Sequence, residues 1–229
     1  MTRAALVLLA LAGCCPAPAP EPVPPGPSTV RGTVKLRGTP PKPRLIRGNG
    51  EPGFPAGGIL QDDLVVDAEG KVHWAFVYVR TGLEGKSFPP PQEAAALDLR
   101  DWMVAPHVLG VRVEQPVVLT NRDRRLHFPQ VPAQQCRGMP SSDESQILRF
   151  QQPSIMEPIR CHVHPWMRGW IGVLDHPFFA VTDEAGRFEL KNLPAGKYTI
   201  GVWHERVAVD DQEIEVNGDV SLNLVGVLK

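Results

Sequence analysis

Seven residues, Cys161-His162-Val163-His164-Pro165-Trp166-Met167, put a thiol, two imidazoles and a thioether on one short stretch stiffened by a proline. A soft thiolate with imidazoles selects copper or zinc over magnesium or calcium, which prefer oxygen donors. Structural zinc ordinarily takes four strong donors in paired clusters such as Cys-x2-Cys, and the chain has no such pair. A trigonal set of one Cys and two His with a weak axial Met is instead the arrangement of electron-transfer copper. Cys161, His164 and Met167 offer the thiolate, one imidazole and the thioether from a single turn. The second imidazole must come from elsewhere. His127 is the candidate, because it follows the hydrophilic Asn121-Arg122-Asp123-Arg124-Arg125 turn at the end of an apolar strand pattern. His162 lies one residue from Cys161 on a strand, so it points to the opposite face and reads as solvent-exposed. A Cys136–Cys161 disulfide is the competing reading of the thiol, and it leaves the neighbouring histidines without a role. Cys136 and Met139 are two further soft donors in the stretch after His127.

Ligands so spread need a rigid scaffold, and the composition says which kind. The 229 residues include 25 prolines and 21 glycines, distributed along the chain and interleaved with short Val/Ile/Leu runs, which favours an all-β fold joined by turns. The formal net charge of −1 gives no reason to expect nucleic acid as a partner. Residues 30–39 alternate apolar and polar and end in a Thr-Pro-Pro turn, predicting a strand; 42–62 read as a long Gly/Pro/Arg-rich loop; 64–66 and 72–79 read as strand, turn and longer strand. Between 94 and 174 a run of strands is broken by an irregular excursion over 128–144, with a possible short helix around 91–96. After 176, Phe188 and Leu190 share a face, as do Tyr198, Ile200 and Val202 beyond the Pro194-Ala195-Gly196 turn. His107 reads as packing a strand start, and His176 and His204 as packed core histidines or a second polar cluster; His73 carries no signal.

The N-terminus reads as an export signal, which predicts a location outside the cytoplasm. Arg3 precedes an apolar run over 4–12, too short for a bilayer span but suited to a signal segment. The run ends in Leu11-Ala12-Gly13-Cys14, which resembles the lipobox of bacterial lipoproteins. The resemblance implies a 1–13 signal peptide and a lipid-modified Cys14, hence a lipid anchor to the membrane of the cell envelope, facing the periplasm or cell surface. Residues 14–29 are a Pro-rich tether of extended, polyproline-like character.

Residues 94–174 resemble the cupredoxins, and among them the amicyanins. Cys161, His164, Pro165, Met167, Arg168 and Gly169 match the Cys-x2-His-Pro-x-Met-Arg-Gly pattern, while Thr120-Asn121-Arg122 and His127 match the region of the first histidine ligand. The resemblance implies a Greek-key β-sandwich over 88–175 that holds one type 1 copper ion through His127, Cys161, His164 and Met167. It further implies single-electron traffic with a redox partner protein in the cell envelope. Pro165 has no amide hydrogen to donate towards the thiolate, which leaves more electron density on sulfur and favours Cu(II). Two departures bear on redox tuning: Phe128 stands where many cupredoxins place Asn, and Glu114-Gln115-Pro116 replaces the usual Gly-Asp/Glu turn. Trp166, Met167 and Trp170 suggest an apolar docking patch or a shield against water.

Residues 176–229 resemble carboxypeptidase regulatory-like or transthyretin-like β-sandwich modules, through Asp183, Gly186, Phe188, Leu193, Pro194, Gly196 and Tyr198. Their first strand resembles Gly32-Thr33-Val34 and Gly38-Thr39-Pro40, which suggests that 30–87 and 176–229 form one sandwich into which the cupredoxin is inserted. The whole chain is also similar to exported bacterial proteins described as methylamine-utilisation or plastocyanin-like. Some of these carry cysteines, implied to be disulfide-bonded, at the positions of Phe54 and Trp102. No catalytic triad or phosphate-binding loop is evident, so an enzyme is not expected. The rival roles are copper storage or delivery, and a structural or adhesive β-module stapled by a metal.

Overall fold

The computed structural model describes residues 21–22, 26–48, 50–132 and 134–229; the signal segment, Cys14 and most of the tether lie outside the described residues. Every regular element among the described residues is a strand, and the fold is all-β. The helix expected around 91–96 is absent: Ala95–Arg100 is a strand. Its alternation buries Leu97 and Leu99 while its backbone pairs in parallel with Val117–Asn121, so tertiary pairing overrides the helix preference of its alanines.

Two sandwiches account for the strands. The first stacks a sheet ordered Ser145–Leu148, Val117–Asn121, Ala95–Arg100, Met103–Ala105 on a sheet ordered Pro129–Gln130, Ser154–Cys161, Arg168–Leu174, Val108–Arg112. Between them lie Leu97, Leu99, Leu119, Leu148, Ile159 and Ile171 from the strands, together with Met167 from a turn. The second stacks Phe179–Val181, Phe76–Thr81, Gly196–Trp203, Gln212–Val216 on Arg187–Leu193, Ser28–Leu36, Val220–Leu228, Val207–Val209. Its core joins Val30, Val34 and Val77 to Phe188, Leu190, Tyr198 and Ile200, so chain from both sides of the first sandwich fills one interior. The predicted 72–79 strand makes an isolated bridge at Val72 and pairs regularly only from Phe76, because Trp74 has φ of 65° and interrupts the extended run. In the Asp183 turn, Asp183 Oδ1 accepts the Ala185 and Arg187 amides and Gly186 supplies the left-handed residue at φ 65°.

The sandwiches meet along an aromatic seam of Phe76, Tyr78, Phe179, Trp170 and Trp203. Gly110 and Gly172 are register partners on neighbouring parallel strands, and a Cβ on either would lie within 3 Å of the Phe76 ring. The pair therefore leaves a flat backbone patch on which the ring lies. Buried Arg112 donates to the carbonyls of Phe88 (2.7 Å) and Asp175 (2.8 Å), binding together the two points where the chain passes between sandwiches.

Candidate metal centre

The Ser154–Cys161 strand ends on Cys161, and the chain returns antiparallel through Arg168–Leu174 with Arg160 opposite Arg168. The intervening turn is closed by Cys161 N–H donating to Met167 O (3.0 Å) and Met167 N–H donating to His164 O (2.9 Å). Pro129 pairs with Cys161, which brings the Phe128 N–H onto Cys161 Sγ at 3.4 Å. His127 forms an isolated bridge with Met139. Buried Asn121 holds the loop before it, donating to Arg125 O and Met139 O and accepting from Asp123 N–H. Asn121 thus braces the loop before His127, while Phe128 occupies the position at which the resemblance implies a bracing Asn.

Folding brings together His127, Cys161 and His164, all buried. Their facing atoms form a triangle: Nδ1 to Nδ1 is 3.0 Å, and Sγ lies 3.8 Å from His127 Nδ1 and 3.6 Å from His164 Nδ1. The point equidistant from all three is about 2.0 Å from each, close to the reach of nitrogen and sulfur ligands around a small metal ion. The far nitrogens say more. His127 Nε2 meets Asp123 Oδ2 at 3.0 Å and His164 Nε2 meets Glu51 Oε1 at 2.9 Å. A carboxylate only accepts, so each Nε2 carries a hydrogen, and in the neutral rings each Nδ1 presents a lone pair. Two such lone pairs at 3.0 Å, beside a sulfur, are a place for a shared proton or a metal ion. A proton on one ring answers the nitrogens alone; a metal ion answers all three atoms, and carboxylate-held imidazoles are the usual way of fixing such ligands.

The electrostatics favour charge on the buried groups in the metal-free protein. Burial pushes the Cys161 thiol up, but the His127 imidazole and the Phe128, His164 and Val163 amides outweigh it and bring the thiol down to about 7. Burial likewise opposes charge on His127 and on Asp123, yet each is held in its charged form by the other: His127 is raised by Asp123 and Cys161, and Asp123 is lowered by His127 and the amides of Trp102 and Asp101. Asp123 reaches those amides because Asp101 and Trp102 form a two-residue hairpin turn with φ of 53° and 66°. A left-handed Trp is rare, and here it directs the indole edge-on to His164, with ring centroids 5.2 Å apart.

Met167 is fully buried in the same core as Cys161. Cys136 and Cys161 are both free thiols, so the disulfide reading is set aside. Met139 is buried, with its sulfur accepting from Gln146 Nε2, and Cys136 is not part of the donor triangle. His162 is exposed. Trp166 and Trp102 flank His164, while Trp170 lies in the seam between sandwiches and donates to Glu205. His176 and His204 do not meet: His176 Nδ1 accepts from Phe178 N–H and His204 Nε2 faces His73 O. The polar cluster forms instead around His107, between Asp62 and Glu205. Of the unforeseen neighbours, Asp123 carried a signal, four residues before His127 in a hydrophilic turn; Glu51 carried none.

No protein-family model and no curated protein matches the chain. Among solved structures it is similar to the reduced state of an amicyanin mutant, with TM-score 0.33 and 19% identity over 42% of this chain and 97% of that one. It is also similar to a purple cupredoxin from Nitrosopumilus maritimus, with TM-score 0.31 and 20% identity over 34% and 98%. A Cu-containing nitrite reductase from Thermus scotoductus SA-01 gives TM-score 0.31 and 21% identity over 41% of this chain, which spans only 24% of that enzyme.

Proposed function

We propose that the protein binds one copper ion through His127, Cys161, His164 and Met167 and carries single electrons at the cell envelope. The signal segment and Cys14 support an exported, lipid-anchored location, and the exchange partner is a redox protein of the same compartment. The observation that carries the reading is the buried triangle of two facing Nδ1 atoms and a thiol whose pKa is lowered to about 7.

Bound copper supplies a one-electron couple between Cu(II) and Cu(I). The chain's own groups tune and protect that couple. Cys161 sits at a strand end and His127 in a bridge to Met139, so neither backbone need move when the charge at the centre changes, which limits reorganisation. Asp123 and Glu51 hold the imidazoles in one tautomer. Phe128 supplies an N–H to the sulfur, and Pro165 withholds one. Trp102, Trp166 and the core around Met167 keep water away.

The test is titration of the metal-free protein with Cu(II), followed by visible spectroscopy and voltammetry. The expected result is one equivalent bound, a thiolate-to-copper charge-transfer band absent from Cys161→Ser, and a reversible one-electron wave. Tight binding without a reversible wave would assign the site to storage or delivery. No thiolate band would end the proposal.

A further inference from the structure

The metal centre is finished by a piece of chain from outside its own sandwich. Residues 50–55 pass the outer edge of His164, and Glu51, 113 residues away in sequence, accepts from His164 Nε2 at 2.9 Å. Phe54 packs edge-on against Trp102 (5.0 Å) and Trp166 (5.4 Å), the two indoles that flank the His164 ring. The Arg125 guanidinium lies 3.6 Å from the Trp102 ring centre and donates to Pro52 O at 3.2 Å, clasping the segment from the other side. The segment is shaped to do this. Glu51 N–H donates to Gly48 O, Phe54 N–H donates to Glu51 O, and Gly50 and Gly53 take left-handed φ of 81° and 78°. Beneath it the His164 side chain is 1% exposed.

Resting on the copper reading above, we infer that residues 50–55 are a strap that completes the centre and that Glu51 is a positioning residue for His164. Three effects follow. The carboxylate keeps the hydrogen on Nε2 and so aims the Nδ1 lone pair at Cys161 and His127. Its negative charge, one imidazole away from the metal, stabilises Cu(II) over Cu(I). With Phe54 it also closes the outer edge of the ring, so the metal leaves only after the strap opens.

The experiment uses the purified full-length protein with Cu(II) as the probe, comparing wild type with Glu51→Ala, Glu51→Gln and Phe54→Ala. Affinity is read by competition with a chelator, the reduction potential by voltammetry, and folding by the melting temperature of the metal-free form. Glu51→Ala should weaken Cu(II) binding about 10–100-fold, the usual loss when an outer partner of a ligand is removed, and should raise the potential. Glu51→Gln keeps an acceptor oxygen but not the charge, so it should restore most of the affinity while the potential stays high. Phe54→Ala should speed removal of copper by the chelator. Since Glu51 sits in a surface loop, the metal-free melting temperature should not move. Glu51→Ala and Glu51→Gln proteins with wild-type affinity and potential would overturn the strap and leave the copper reading standing. A wild-type protein without a thiolate–copper band would overturn both.

Discussion

Stability should depend on pH through His107, and in a direction the geometry fixes. The imidazole is 1% exposed and lies between Asp62, 3.1 Å from Nδ1 but off the hydrogen-bond axis, and Glu205, 3.1 Å from Nε2. Arg168 and Trp170 Nε1 both reach Glu205, so that carboxylate is held in place. Burial disfavours the imidazolium, but the two carboxylates outweigh it and lift His107 from 6.5 to about 9. A histidine raised on folding contributes its full stabilisation below the unfolded value and loses it as the pH rises through the folded one. The window is therefore 6.5 to about 9, and the gap is worth about 3 kcal/mol. Cys161 opposes this: its thiol is near 7 in the fold against an ordinary 9, so its stabilisation is present above the unfolded value and fades as the pH falls through 7. Wild-type stability alone could look flat. The measurement is therefore the difference between wild type and His107→Gln, metal-free, by urea titration at a series of pH values with tryptophan fluorescence as the probe. The difference should be largest near pH 6 and shrink by about 3 kcal/mol towards pH 10. A difference that does not change with pH would refute the argument, because it would mean that His107 stays neutral between two carboxylates.

Asp123→Ala removes the acceptor for His127 Nε2 along with that for two turn amides, and should weaken Cu(II) binding about 10–100-fold in the same competition titration. Unchanged affinity would show that His127 needs no partner to present Nδ1. Gly110→Ala places a Cβ 2.5 Å from the Phe179 ring and 2.8 Å from the Phe76 ring, and overpacking of this kind should cost about 1–3 kcal/mol by denaturant unfolding. Gly57→Ala, which meets nothing within 4 Å, is the control and should be neutral.

What could be read from the sequence was local, and what could not was long-range and made of ordinary residues. Alternation announced the strands, because a buried face repeats every second residue: Tyr198, Ile200 and Val202 all enter one core. Cys161, His164 and Met167 stand out because three soft donors fall within seven residues. His127 is legible because a strand and a polar turn precede it. The Ala95–Arg100 strand was ambiguous, since its alanines favour a helix and only pairing with Val117–Asn121 decides the matter. Glu51 and the Asp62–His107–Glu205 cluster were invisible for a different reason. A glutamate in a Gly/Pro/Arg-rich loop has no pattern, and its partner is set only when one sandwich docks on the other. The same docking changes the meaning of Phe54 and Trp102. Where the resemblance implies a disulfide in related chains, this chain has an edge-on aromatic pair at 5.0 Å. Such a contact is worth about 0.5–1.5 kcal/mol beyond its buried area, whereas a disulfide does not open without reduction. A strap held by Phe54, Arg125 and one carboxylate has no covalent bond to break, so opening it would need no reductant.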